Sequence, residues 1–69
     1  MKTYTTYEQI KNDYPYEEDK LKAHTVFTDY VMDIISLKQR REIRNSWNKL
    51  PNNVRWEDYL LQQVNNIKN

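Results

Sequence analysis

Few side chains in this sequence stand where they could do chemistry together. Asp29 and Asp33 are four residues apart and share a helix face, the spacing at which two carboxylates can begin a metal site. Completing that site would take a Glu-x-x-His partner on a facing helix, and the sequence contains none. Glu17, Glu18 and Asp19 are consecutive, so on a helix their side chains fan apart and do not meet at one point. They read more simply as first-turn carboxylates set against the positive end of a helix dipole. His24 is the single histidine and belongs to no recognisable triad, so it reads as a residue at the edge of a core. No catalytic residue, metal ligand or cofactor is assigned, and the chain is expected not to be an enzyme.

Composition narrows the classes further. Glycine is absent. Phosphate-cradling loops and nucleophile elbows need it, because backbone must approach a ligand closely or adopt positive φ. Cysteine is absent too, which removes disulfides and thiolate metal sites. The 69 residues suffice for one small domain with a marginal core. Leu, Ile, Val and Phe number fifteen, six tyrosines and two tryptophans add aromatic mass, and the net charge is only +1. That balance favours folding over disorder. No apolar run approaches the ~18 residues of a membrane span. The opening MKTYTTYEQ lacks the apolar core of a signal peptide. The expected location is therefore the cytoplasm.

The richest stretch for binding is Ser36 to Arg55. It holds six of the eleven Lys and Arg residues against one acid, Glu42, and carries Trp47, with Trp56 directly after it. Residues 1–37 sum to −3 and 38–55 to +5. On a helical wheel Lys38, Arg41 and Arg44 share one side with Asn45 and Asn48, and Arg40 lies at the border of the apolar face. These six residues are the candidate binding surface. The plain reading is a solvated helix face that balances the acidic first half. Nucleic-acid binding is a second reading, with Arg and Lys on phosphates and the asparagines on base edges. Protein recognition is a third, because Arg, Trp and Tyr are the types enriched at binding hot spots. A sequence pI of 7.9 argues against a dedicated nucleic-acid domain. A second, acidic and aromatic patch is expected at Tyr14, Tyr16, Glu17, Glu18 and Asp19, with Tyr4 among the surplus tyrosines. An acidic patch and a basic face on one chain would also permit self-docking as a homodimer.

The elements that must position these groups are helices. Thr6 and Gln9 have capping-box spacing, and Tyr7, Ile10 and Tyr14 then share a face up to Pro15, which ends the helix. A central helix over 16–36 follows. Ala23, Val26, Phe27, Tyr30, Val31, Ile34, Ile35 and Leu37 form an apolar arc broad enough to pack on two sides. Continued past Ser36 in the same phase, that helix would turn Lys38, Arg41 and Arg44 inward, so the periodicity breaks there. A single helix over 16–49, the alternative, would need a reason to swap faces midway. Ser36 and Gln39 supply a second capping box at the break. The third helix, 37–49, turns Ile43, Trp47 and Leu50 inward. Pro51-Asn52-Asn53 makes a turn with Asn53 as the next N-cap, and Trp47 is expected to pack on Trp56 beside it. The last helix, 54–66, has Trp56, Tyr59, Leu60, Val64 and Ile67 on one side and a fraying tail from Asn65. No segment alternates with period two. The expected fold is a small all-α bundle of three to four helices (approximately 6–14, 16–36, 37–49 and 54–66) forming one domain over 1–69.

The window Thr6-Tyr7-Glu8-Gln9-Ile10, with Asp13-Tyr14 after it, resembles the opening of some very small phage-encoded anti-CRISPR-type proteins. It covers about a tenth of the chain, and no functional residue is carried over from it. The resemblance implies a small inhibitor or regulator from a phage or mobile element, acting in the cytoplasm of the host cell. The resulting expectation is a non-enzymatic protein-binding module whose partner is a host protein that handles nucleic acid. The alternative is a small helical DNA- or RNA-binding regulator using 37–49.

Overall fold

A computed structural model describes residues 3–68. The chain forms a small all-α bundle: α1 (Tyr7–Asp13), a single 3-10 turn (Glu17–Asp19) leading into α2 (Lys20–Met32), α3 (Leu37–Trp47) and α4 (Trp56–Lys68). Among the described residues there is no strand, and no helix is long and apolar enough to cross a membrane.

Both capping signals operate. The Gln9 side-chain oxygen accepts from the backbone N–H of Thr5 at 2.7 Å and of Thr6 at 3.4 Å. At Ser36 the exchange is reciprocal: its hydroxyl accepts from the Gln39 N–H (3.3 Å), and Gln39 accepts from the Ser36 N–H (2.9 Å). An N-cap must be extended, and Ser36 is, at φ −85° and ψ 168°. A residue in that conformation cannot continue α2. Segment 16–49 is thus two helices, and α2 ends at Met32, short of the expected residue 36. Its last turn tightens, with the N–H groups of Ile34 and Ile35 both donating to the Val31 carbonyl at 3.0 Å. The β-branched pair Ile34-Ile35 favours that exit.

The start of α4 is also displaced, from residue 54 to Trp56. The Trp47 indole N–H donates to the Val54 carbonyl at 2.8 Å. A helix beginning at Val54 would hand that carbonyl to the Asp58 N–H. The indole takes it instead, and Asn53 is left in the turn without a capping role.

Ile10, Ala23, Phe27, Tyr30, Val31, Ile35, Leu60, Leu61 and Val64 form the core together with Tyr4. As expected, α2 packs between two neighbours, α1 and α4. The hub, however, is α4, which touches α1, α2 and α3 and contributes three fully buried side chains, Leu60, Leu61 and Val64. Leu61 was not on the expected apolar side of α4, whereas Ile67, which was, is half exposed. Leu37 leaves the expected core arc as well: it opens α3 and is 58% exposed. Leu50 stands at the surface, and α3 as a whole has no fully buried residue.

Polar ties lock the termini to the bundle. Asp58 accepts from the Tyr7 N–H at 2.8 Å, satisfying a donor at the open end of α1. Asn65 accepts from the Tyr30 hydroxyl (2.5 Å) and donates to the Tyr4 carbonyl (2.7 Å). The two tyrosine rings meet edge-on with centroids 5.6 Å apart. These contacts explain why α4 runs on through Lys68 where fraying from Asn65 was expected; Asn69 lies outside the described residues. Asn65→Ala leaves the Tyr30 hydroxyl and Tyr4 carbonyl without this partner. It should lower the unfolding free energy by about 2 kcal/mol. A urea titration checks this, and a change within about 0.5 kcal/mol would place the network among neutral surface contacts.

Candidate functional site: an arginine and tryptophan concavity between α3 and α4

The spacing of α3 decides which of its side chains can meet. Leu37, Arg40, Arg41 and Arg44 recur at i, i+3, i+4 and i+7, so they form one stripe. That stripe and Trp56, across the turn on α4, line a concavity of about 300 Å³. Trp47 and Trp56 pack beside it with centroids 5.7 Å apart and planes inclined by 60°. The Trp–Trp contact expected near the Pro51 turn is thus present.

Arg44 occupies a different place from the one the wheel gave it. It stands three residues before Trp47, hence on an adjacent face rather than the opposite one. Its guanidinium carbon lies 4.5 Å from the Trp47 ring centroid and 4.7 Å from that of Trp56. Both are well within cation–π range. The two rings give the guanidinium a contact on the protein although the residue is exposed. Arg40 is half buried: its stem also lines a narrow crevice with Phe27, Val31 and Leu60, and Arg41 is exposed. Among the described residues none of the three guanidiniums pairs with a carboxylate, and no acid lines the concavity.

The six candidate residues therefore divide. Arg40, Arg41 and Arg44 converge. Lys38, Asn45 and Asn48 are exposed farther round α3 and do not line the concavity, Asn48 serving as the helix C-cap. The sequence reading missed Leu37 and Trp56 as lining residues. The Leu37 signal was available in its i+3, i+4 and i+7 spacing to three arginines. The Trp56 contribution depends on how the Pro51 turn folds back, which spacing does not encode.

The second candidate patch changes character. Tyr14, Tyr16 and Glu17 do line a common cleft, but with Tyr7, Lys11 and Lys20, and Glu18 and Asp19 do not reach it. Lys20 pairs with Glu17 at 2.5 Å, and Lys22 lies 5.3 Å from the Tyr14 ring centroid. The patch is aromatic with mixed charge rather than acidic. Tyr4 belongs to the core, not to this surface. His24 is exposed, with its ring 6.2 Å from that of Phe27, and Asp29 and Asp33 are exposed on α2. Among the described residues no group of three His, Cys, Asp or Glu side chains could hold a metal ion.

No family model, curated protein or solved structure matches this chain.

Proposed function

We propose that this protein is a non-enzymatic, protein-binding module whose docking face is the Arg40–Arg41–Arg44 cluster with Leu37 and Trp56. One observation carries the reading: three arginines with no carboxylate partner among the described residues converge on a tryptophan with an exposed leucine beside them. Arg and Trp are over-represented among the residues that dominate interface energies. The contacts of Arg44 with both indoles favour a reduced ordering cost at the interface. A stoichiometric inhibitor or regulator encoded by a phage or mobile element is the biological role we assign. The sign of the charge selects the side of the host protein it meets. A protein that handles nucleic acid would have to present an acidic surface here, not its basic nucleic-acid groove.

Direct nucleic-acid binding is the second reading, favoured by the exposed outer stripe of Lys38, Arg41, Asn45 and Asn48 on α3. The aromatic geometry weighs against it. Single strands bind by stacking bases on aromatic faces, and Arg44 already covers a face of each tryptophan in the site.

The test is co-purification with a tagged chain, before and after nuclease treatment. The wild-type chain should retain a discrete protein after nuclease, and the Arg41→Glu/Arg44→Glu double variant, folded by circular dichroism, should lose it at least tenfold. Retention by the double variant overturns the docking face. Loss of all bound material on nuclease treatment favours the second reading, which also requires affinity to fall with salt at a log–log slope of about −0.9 per phosphate contact on duplex.

A further inference from the structure

The chemistry of the ligand can be taken one step further, resting on the docking face just described. Three cations without acidic partners among the described residues face a concavity of about 300 Å³. Bringing them together costs Coulombic repulsion that an anionic ligand would relieve. Arg44 adds direction. Both indoles meet the guanidinium from the same side, their own centroids only 5.7 Å apart, and the planar N–H fork of an arginine suits a two-oxygen acceptor. A lysine in this place would supply charge without that fork.

Leu37 decides between classes of anion. It is 58% exposed in the same stripe, and Trp56 contributes further apolar surface at the base. A sugar-phosphate backbone would bring no apolar group to Leu37, and the Trp47 indole N–H is already spent on the Val54 carbonyl. An acidic protein segment supplies both components at once. A second copy of the chain is a poorer occupant. The cleft that holds Glu17 also carries Lys11 and Lys20, so it offers no net negative charge to the arginines.

We propose that the α3–α4 concavity recognises an acidic peptide segment in which carboxylate side chains flank an apolar one. One carboxylate takes the edge of Arg44, another lies between Arg40 and Arg41, and the apolar side chain covers Leu37 and Trp56.

Both tryptophans of the chain lie at this site, so intrinsic fluorescence reports on it directly. The probe is a short synthetic peptide, blocked at both termini, with glutamates at helical spacing around leucine. The controls are the same peptide with every Glu changed to Gln, a Glu peptide with Leu changed to Ser, and single-stranded and duplex oligonucleotides. The Glu–Leu peptide should shift the tryptophan emission saturably, and both altered peptides should bind at least tenfold more weakly. Arg41→Gln, at an exposed position, and Arg44→Gln should each weaken the Glu–Leu peptide about tenfold, and Arg44→Lys should recover only part of the loss. Circular dichroism of each variant verifies the fold.

Equal binding of the Gln peptide overturns carboxylate recognition while leaving the docking face intact. Equal binding of the Ser peptide overturns the apolar component. Saturable binding of oligonucleotide with none of peptide overturns the proposal in favour of nucleic acid. Absence of any response to the Glu–Leu peptide overturns it outright, whereas the fate of the docking face is settled separately by the co-purification.

Discussion

Leu61→Ala should remove about 3 kcal/mol of stability, within the range for deleting a buried leucine side chain. Leu61 is fully buried in α4, the helix that touches the other three. A chain of this size has only a few kcal/mol in hand, about 3–5 from a core of this scale. The variant should therefore be substantially unfolded at room temperature, with loss of far-ultraviolet ellipticity and a urea midpoint near zero. Leu21→Ala is the matched control. The same atoms are deleted, but Leu21 is 78% exposed, so the change should stay within about 0.5 kcal/mol. Similar losses in the two variants would contradict the placement of the core. A loss under about 1 kcal/mol at Leu61 would deny α4 its role as hub.

Trp56→Ala has a different expected signature. Trp56 is half buried, and its removal takes away the partner ring of Trp47 and one of the two surfaces under Arg44. The global cost should be about 2 kcal/mol, below the ~3–5 for a fully enclosed aromatic. The local cost falls on α3, which has no fully buried residue. In native-state hydrogen exchange the amides of α3 should lose most of their protection while those of α2 and the middle of α4 keep most of theirs. The same variant should lose binding at the concavity more completely than its stability change explains. Uniform loss of protection over all four helices would show that α3 folds as one unit with the rest and not as a separately clamped arm.

These two cases mark the line between what was legible in the residues and what was not. Local signals were readable because they act over three or four residues. The Thr6–Gln9 and Ser36–Gln39 caps, the interruption at Pro15 and the change of phase at Ser36 each depend only on neighbours in the chain. So did the inward face of α2, since Ala23, Phe27, Tyr30 and Val31 share one broad arc. The errors arose where distant groups compete for the same atom or the same volume. The Trp47 indole took the Val54 carbonyl and displaced the start of α4. Asn65 found Tyr30 and Tyr4 across the bundle and stopped the tail from fraying.

The candidate site follows the same division. Arg40, Arg41 and Arg44 were identifiable as a basic cluster. The contact of Arg44 with both rings was not, because Trp56 enters from another helix. The wheel also treated charge as a reason to face away from aromatics. In the structure the Arg44 guanidinium carbon lies over both indole rings. Leu37 was assigned to the core because its phase continued that of α2, although the cap at Ser36 restarts the count.

One feature of the backbone bears on how this chain can change over generations. It contains no glycine, and among the described residues none has positive φ, so each of those turns is made from conformations open to every L-amino acid. In folds whose loops depend on left-handed residues, particular positions are frozen by sterics, and a lineage can be traced by those fixed points. Here the bends around Pro15 and Asn52 impose no such anchors. Selection is left to act on a handful of enclosed side chains, two caps and the arginine face. Such a sequence can diverge at the surface while its helices stay in place.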